Sequence, residues 1–213
     1  MGRSQKLLER GATVTINRME LLKMFPRKSI GMEVGTGDGN YTATMIKVVQ
    51  PKCLYTVDSW RFWDASVYGK RYEPLETIQM RNKVRETYPQ QQEEAKQVVM
   101  SKFAKEIAAK QLIVMHMTSV QALNQLADNT LDWIYLDGCH LYEVVLAELF
   151  CAQRVVKPGG FISGHDYCHD LRWEDGVIIA VDEFIEAGLV EMISLGNKNP
   201  GSSQETNYVL KNK

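Results

Sequence analysis

Residues 30–39 read Ile-Gly-Met-Glu-Val-Gly-Thr-Gly-Asp-Gly, a short apolar run that breaks into the alternating glycines Gly35, Gly37 and Gly39. Such a run predicts a β-strand delivering the chain into a tight turn, and Tyr41 to Val49 behind it has the apolar spacing of a helix. Glycines at this junction let backbone approach a ligand closely, while the helix start offers unpaired N–H groups and partial positive charge. Cys53 to Asp58 (CLYTVD) predicts a second strand ending on an acid, where a carboxylate can grip both ribose hydroxyls of a nucleoside. Together the two strands favour a nucleoside-bearing ligand. The dinucleotide pattern G-x-G-x-x-G is not the one present, because Asn40 stands where its third glycine would pack helix on strand.

Downstream the alternation continues. Leu112 to Met117, Leu131 to Asp137 and Phe161 to Asp166 predict the third, fourth and fifth strands. Between them Val120, Leu123, Leu126 and Ala127 share a helix face behind Thr118 or Ser119 as N-cap, and Leu141 to Val156 predicts a helix stopped by Lys157-Pro158-Gly159-Gly160. A helix carrying Val177, Val181, Phe184 and Ile185 precedes two terminal strands, Leu189 to Leu195 and Asn207 to Lys211, whose joining loop suits a hairpin and hence an antiparallel pair. Strands alternating with helices at this spacing predict a doubly wound, mostly parallel α/β sheet.

One domain over residues 1–213 is expected. Residues 1–29 add a helical cap with Asn17 as N-cap and Glu20 three positions on, and residues 60–111 form an insertion longer than a βαβ crossover needs. Within the insertion, Trp60, Phe62, Trp63, Tyr68 and Tyr72 read either as a lid over the base and acceptor pocket or as rings packing the next helices to the body. Those helices, divided by Pro89, carry Leu75 and Ile78, then Ala95, Val98, Val99, Phe103 and Ile107, which read as core or as a contact within a homo-oligomer.

Charge balance narrows the partners. Lys and Arg number 25 against 26 Asp and Glu, a net charge of -1 that provides no field for an obligate nucleic acid or an anionic membrane. No apolar stretch is long enough to span a bilayer, the N-terminal residues lack the apolar core of a signal peptide, and the four cysteines have no CxxC spacing. A cytoplasmic protein acting on a small molecule is expected.

The turn E-x-G-x-G-x-G resembles motif I of class I S-adenosylmethionine-dependent methyltransferases, over about residues 30–60 and 112–211. That resemblance implies a Rossmann-like seven-stranded sheet with an antiparallel C-terminal strand. It further implies that Glu33, Gly35, Thr36, Gly37 and Gly39 line the methionine part of S-adenosylmethionine, that Asp58 takes the ribose, and that Ser59 and Ser119 flank the adenine.

The histidines extend the picture. His140, His165 and His169 fall just past the fourth and fifth strands and His116 ends the third, on the sheet edge where open α/β folds bind ligands. Asp137-Gly-x-His140, Lys157-Pro-Gly-Gly, His165-Asp166-Tyr and Gly176-Val-x-x-Ala180-Val-Asp-Glu-Phe184 look like the metal-dependent methyltransferase subgroup that includes macrolide-sugar O-methyltransferases. The resemblance implies Asp137 as a catalytic acid that also touches the cofactor, His140 as general base, and Asp137, His165 and Asp166 as ligands to a divalent ion, with His165 standing where several relatives carry Asp.

This chemistry is coherent. Methyl transfer from a sulfonium is an in-line displacement served mainly by positioning, whereas an alcohol acceptor must also lose a proton to a base such as imidazole, helped by Mg²⁺ held on oxygen ligands. Other readings are a nicotinamide-dependent oxidoreductase, a non-catalytic nucleoside-binding module, and a zinc site built from Cys139, His140, His165, Cys168 and His169. Asp137 and Ser119 also have simple roles as helix-capping residues.

Overall fold

The computed structural model describes residues 16–60, 90–169, 175–196 and 206–213. Helix α1 (Arg18–Met24) opens with a capping box: the Asn17 side chain accepts from the Met19 and Glu20 amides, and Glu20 accepts in return from the Asn17 N–H. Strand β1 (Ile30–Val34), helix α2 (Asn40–Val49) and strand β2 (Cys53–Asp58) follow. The described part of the insertion contributes helix α3 over residues 90–102 and α4 (Ala104–Ala108). Then come β3 (Leu112–His116), α5 (Ser119–Gln125), β4 (Leu131–Leu136) and α6 (Tyr142–Val155). Strand β5 (Val156–Gly164), helix α7 (Gly176–Glu186), and strands β6 (Val190–Ser194) and β7 (Tyr208–Asn212) complete the order.

The strands form a 7-stranded sheet in the order β3-β2-β1-β4-β5-β7-β6. Neighbours from β3 to β5 run parallel, and β7 lies antiparallel between β5 and β6. The doubly wound sheet read from the sequence is therefore present, with β7 as its reversed strand. Chain direction across the sheet switches between β1 and β4, and the crevice outside their carboxyl ends is where such a sheet receives a ligand.

Alternation along the strands supplies two cores. Met32 and Val34 face a cluster with Leu123, Leu149 and Val181 from α5, α6 and α7, whereas Trp133 and Tyr135 face a second cluster with Leu21, Leu22, Phe25, Met45 and Phe103. Trp133 fills the space above Gly31, where a Cβ would lie 2.1 Å from its ring, and stacks on Phe25 at 4.3 Å. Burying Leu21, Leu22 and Phe25 stabilises the docked α1 by about 1.5–3 kcal/mol per side chain. That docking holds Arg18, one turn before Leu22, near the carboxyl ends of the strands.

One boundary differs from the sequence reading. Lys157-Pro158-Gly159-Gly160 does not separate helix from strand; β5 begins at Val156, paired with Leu131, and the four residues bulge from the strand before pairing resumes at Phe161 opposite Trp133. Proline and glycine break a ladder as readily as they end a helix, so the composition alone does not distinguish the two. The bulge is anchored by Lys157, whose Nζ donates to Asp132 at 2.7 Å, while Asp132 also accepts from the Ile30 N–H at 2.7 Å.

Phe62, Trp63, Tyr68, Tyr72, Leu75, Ile78 and Pro89 of the insertion lie outside the described residues, as do residues 1–15 of the N-terminal cap. Among the described residues no helix is long and apolar enough to cross a membrane.

Candidate active site

Strand β1 ends in a turn that passes very near β4. A Cβ on Gly35 would meet the Asp137 carbonyl oxygen at 2.0 Å, so only glycine allows the approach, and φ of +90 there independently favours it. The Gly35 N–H donates to Val57 O at 2.9 Å, and the Asp137 N–H donates to Val34 O at 2.9 Å, which ties the turn to both neighbouring strands. Gly39 then starts α2 with φ of +74, and Phe103 of the insertion lies where its Cβ would be, 2.6 Å away. The insertion thus seals the back of the turn.

Beneath the turn, Glu33 is 1% exposed and accepts from the hydroxyls of Thr42 and Thr56. Thr36 joins the same chain through Thr56 at 2.6 Å between hydroxyl oxygens, so both Glu33 and Thr36 brace the turn from within. Burial pushes the Glu33 carboxyl up to about 8 despite the two hydroxyl donors. The folded protein therefore binds this proton more tightly than an unfolded chain, whose glutamate titrates near 4.5. Stability should be full below about pH 4.5 and fall as pH rises toward 8, by about 3 kcal/mol from this group at pH 7. Thermal denaturation of Glu33→Gln should show a flatter decline between pH 5 and 8 than the parent protein; parallel curves would remove Glu33 as the cause.

Asp58, at the end of β2, is held by two backbone donors: Gly37 N–H reaches Oδ2 at 2.9 Å and Trp60 N–H reaches Oδ1 at 2.8 Å. Trp60 folds back over the turn, its indole N–H donating to Gly37 O at 3.0 Å, and meets His116 edge-on at 5.6 Å. Each carboxylate oxygen keeps a second lone pair for a ligand hydroxyl.

A cavity of about 370 Å³ opens between these elements. Gly35, Gly37, Asp58, Ser59, Ser119 and Asp137 all line it, as the sequence reading expects of cofactor-contacting residues, whereas Glu33, Thr36 and Gly39 lie outside its lining. Gln92, Cys139 and Glu148 also line it, and no sequence pattern assigns any of the three to the cofactor. Thr118, not Ser119, caps α5, which leaves Ser119 at the first helical position with its hydroxyl donating to Glu148. Burial raises the Glu148 carboxyl to about 7 against the pull of that hydroxyl.

Beside the cavity the loops after β4 and β5 converge. His140 Nε2 lies 3.0 Å from Asp166 Oδ2, His165 Nδ1 lies 3.0 Å from Asp166 Oδ1, and His165 Nε2 is 2.9 Å from the Thr206 hydroxyl. Burial opposes ionisation of Asp166, but hydrogen bonds from His140 and His165 outweigh it and hold its carboxyl well below the usual range. Asp137 shows the opposite balance, raised by burial in spite of a 2.8 Å ion pair with Arg18. Arg18 also stacks over Tyr41, 4.9 Å from the ring centre.

Ligating atoms of Asp137, His140 and Asp166 all lie within 4.8 Å of one another. The converging trio therefore contains His140 where the sequence reading placed His165, which stands 3.9 Å from Asp137 and is turned toward Asp166 and Thr206. His169 is drawn away to Asp175 at 2.9 Å.

A family model described as a methyltransferase domain matches residues 32–167. Among solved structures, a SAM-dependent methyltransferase from Aquifex aeolicus is 18% identical and superposes with a TM-score of 0.56 over 100% of this chain and 98% of that one. The N-methyltransferase NodS from Bradyrhizobium japonicum WM9 is 12% identical, with a TM-score of 0.57 over 99% and 96% of the two chains. The precorrin-6y C5,15-methyltransferase from Geobacter metallireducens GS-15 is 13% identical, with a TM-score of 0.53 over 92% and 86%. No curated protein matches the sequence.

Proposed function

Because the chain belongs to the methyltransferase-domain family and its reaction is S-adenosylmethionine-dependent methyl transfer, we propose that the acceptor is a hydroxyl group of a small molecule. The observation that carries this reading is the His140–Asp166 pair beside the cavity wall formed by Asp137. A neutral hydroxyl is a poor nucleophile until its proton leaves, and an imidazole oriented by a carboxylate is suited to remove it. An ionised Asp166 only accepts hydrogen bonds, so its partner Nε2 carries the ring proton of neutral His140 and Nδ1 carries the lone pair. Asp58 would orient the ribose, and the turn from Gly35 to Gly39 would hold the amino-acid end of the cofactor against β4.

The carboxylates of Asp137 and Asp166 fit a divalent ion such as Mg²⁺, which prefers oxygen ligands, and His140 stands beside them with its one lone pair kept for the acceptor proton. Such an ion would lower the pKa of an acceptor hydroxyl bound to it. Arg18 holds the same Asp137 carboxylate, so guanidinium and ion compete for it. The near-balanced net charge supports a small acceptor over a nucleic acid.

Calorimetry with S-adenosylhomocysteine, NAD and Mg²⁺, followed by transfer assays on an acceptor panel, tests the proposal. Micromolar binding of the homocysteine form but not NAD is expected, with methylation of hydroxyl compounds slowed by chelation. In Arg18→Met, Mg²⁺ should bind about tenfold more tightly as one competing cation is removed. Methylation confined to amines would overturn the hydroxyl reading, rates indifferent to chelator with no Mg²⁺ binding by calorimetry would remove the ion, and Mg²⁺ affinity unchanged in Arg18→Met would remove the competition.

A further inference from the structure

Arg18 brings a cation to the site, and its guanidinium is only partly engaged. Nη2 donates to Asp137 Oδ2 at 2.8 Å, and among the described residues no other acceptor takes up its donors. The first turn of a helix favours acids over bases, so α1 itself does not call for an arginine at its first position. The placement is nevertheless closely fixed. Asn207, fully buried, donates to Ile16 O at 2.9 Å and holds the chain where it enters α1. The Tyr41 hydroxyl donates to Arg18 O at 3.4 Å, while its ring lies 4.9 Å from the guanidinium carbon. Stacking on that ring and bonding to Asp137 set the plane of the fork.

Geometry then decides what stays available. A guanidinium has two edges that each present a pair of parallel N–H donors, and the two protons of Nη2 belong to different edges. One proton of Nη2 goes to Asp137, so the other edge keeps both of its donors. The side chain is 37% exposed, which leaves it within reach of an incoming molecule. Arg18 bonds Asp137 from outside the cofactor cavity, whose lining it does not join. Through Asp137 it stands near the proposed base, since ligating atoms of Asp137, His140 and Asp166 lie within 4.8 Å of one another.

Resting on the hydroxyl reading above, we propose that Arg18 recognises a carboxylate of the acceptor, so that the substrate is a hydroxy acid whose two groups lie a few bonds apart. The open edge matches the two oxygens of a carboxylate, and a bidentate pair fixes direction as well as affinity. Anchored there, the acceptor turns its hydroxyl toward His140 on the far side of Asp137. Two carboxylates, Asp137 and Asp166, face this guanidinium and the sulfonium charge of the methyl donor. With neutral histidines an anionic acceptor therefore meets no net negative charge.

Transfer kinetics with S-adenosylmethionine on matched pairs test the assignment: hydroxybenzoates against hydroxybenzamides, and glucuronate against glucuronamide. The ratio of kcat/KM for acid over amide cancels any effect of a substitution on folding, on Asp137 or on the base. In the parent protein the best pair should give a ratio of about 10–100, carried mainly in KM. Arg18→Met should bring it to within about threefold of unity, and Arg18→Lys, which keeps the charge and loses the fork, should fall between. A parent ratio near or below unity in every pair, or one that survives Arg18→Met, overturns the carboxylate assignment and leaves the hydroxyl reading standing. Methylation of none of these hydroxyl compounds, acid or amide, overturns both.

Discussion

Asp58→Ala should lower affinity for S-adenosylhomocysteine by about 10²–10⁴-fold, since two charge-assisted hydrogen bonds to ribose hydroxyls at about 1.5–3 kcal/mol each convert to that range. Two consequences combine in this variant. The ribose loses its acceptors, and the Gly37 and Trp60 amides, 2.9 and 2.8 Å from the carboxylate, lose the group that sets the shape of the turn. Asp58→Asn separates the two, because its single amide oxygen can still receive one backbone donor. Its loss should be intermediate, and equilibrium titration resolves the three proteins. Undiminished affinity in Asp58→Ala would refute the ribose assignment and with it the orientation of the ligand in the cavity.

The second large effect belongs to His140. His140→Ala should slow single-turnover methyl transfer to a hydroxyl by about 10²-fold or more, the usual contribution of a positioned base, and leave S-adenosylhomocysteine binding unchanged. The separation follows from placement: His140 pairs with Asp166, whereas the glycine turn and Asp58, proposed to take the ribose, follow β1 and end β2. Loss of binding in step with rate would show that the substitution had disturbed the loop and not the chemistry. A full rate in the variant would show that another group takes the proton.

Local signals explain what was legible in the sequence. The order of strands and helices, the glycine turn and the acid closing β2 are written in neighbouring residues, so periodicity and turn chemistry reveal them. The Asn17 cap was legible for the same reason. Arg18 was not: its partner Asp137 is 119 positions away, and nothing in the spacing of either residue announces the other. Glu148 was concealed differently, since a glutamate within an amphipathic helix normally signals the solvated face, and only the fold places this one against α5. The proline and two glycines at 158–160 announce irregular backbone, but whether irregular residues end an element or bulge from it is decided by pairing with β4.

The pairing of Gly31 with Trp133 joins residues far apart in the chain, and the last step of building the turn, the approach of Gly35 to Asp137, spans the same separation. Contacts of that range form late, after the entropy of closing a long loop has been overcome. A nascent chain that has folded only through β3 therefore holds the glycines and Asp58 but lacks the wall against which they are shaped. Ligand-induced stabilisation can begin only after β4 has docked, so the cofactor acts as a late lock on a finished sheet and offers no template to its early intermediates.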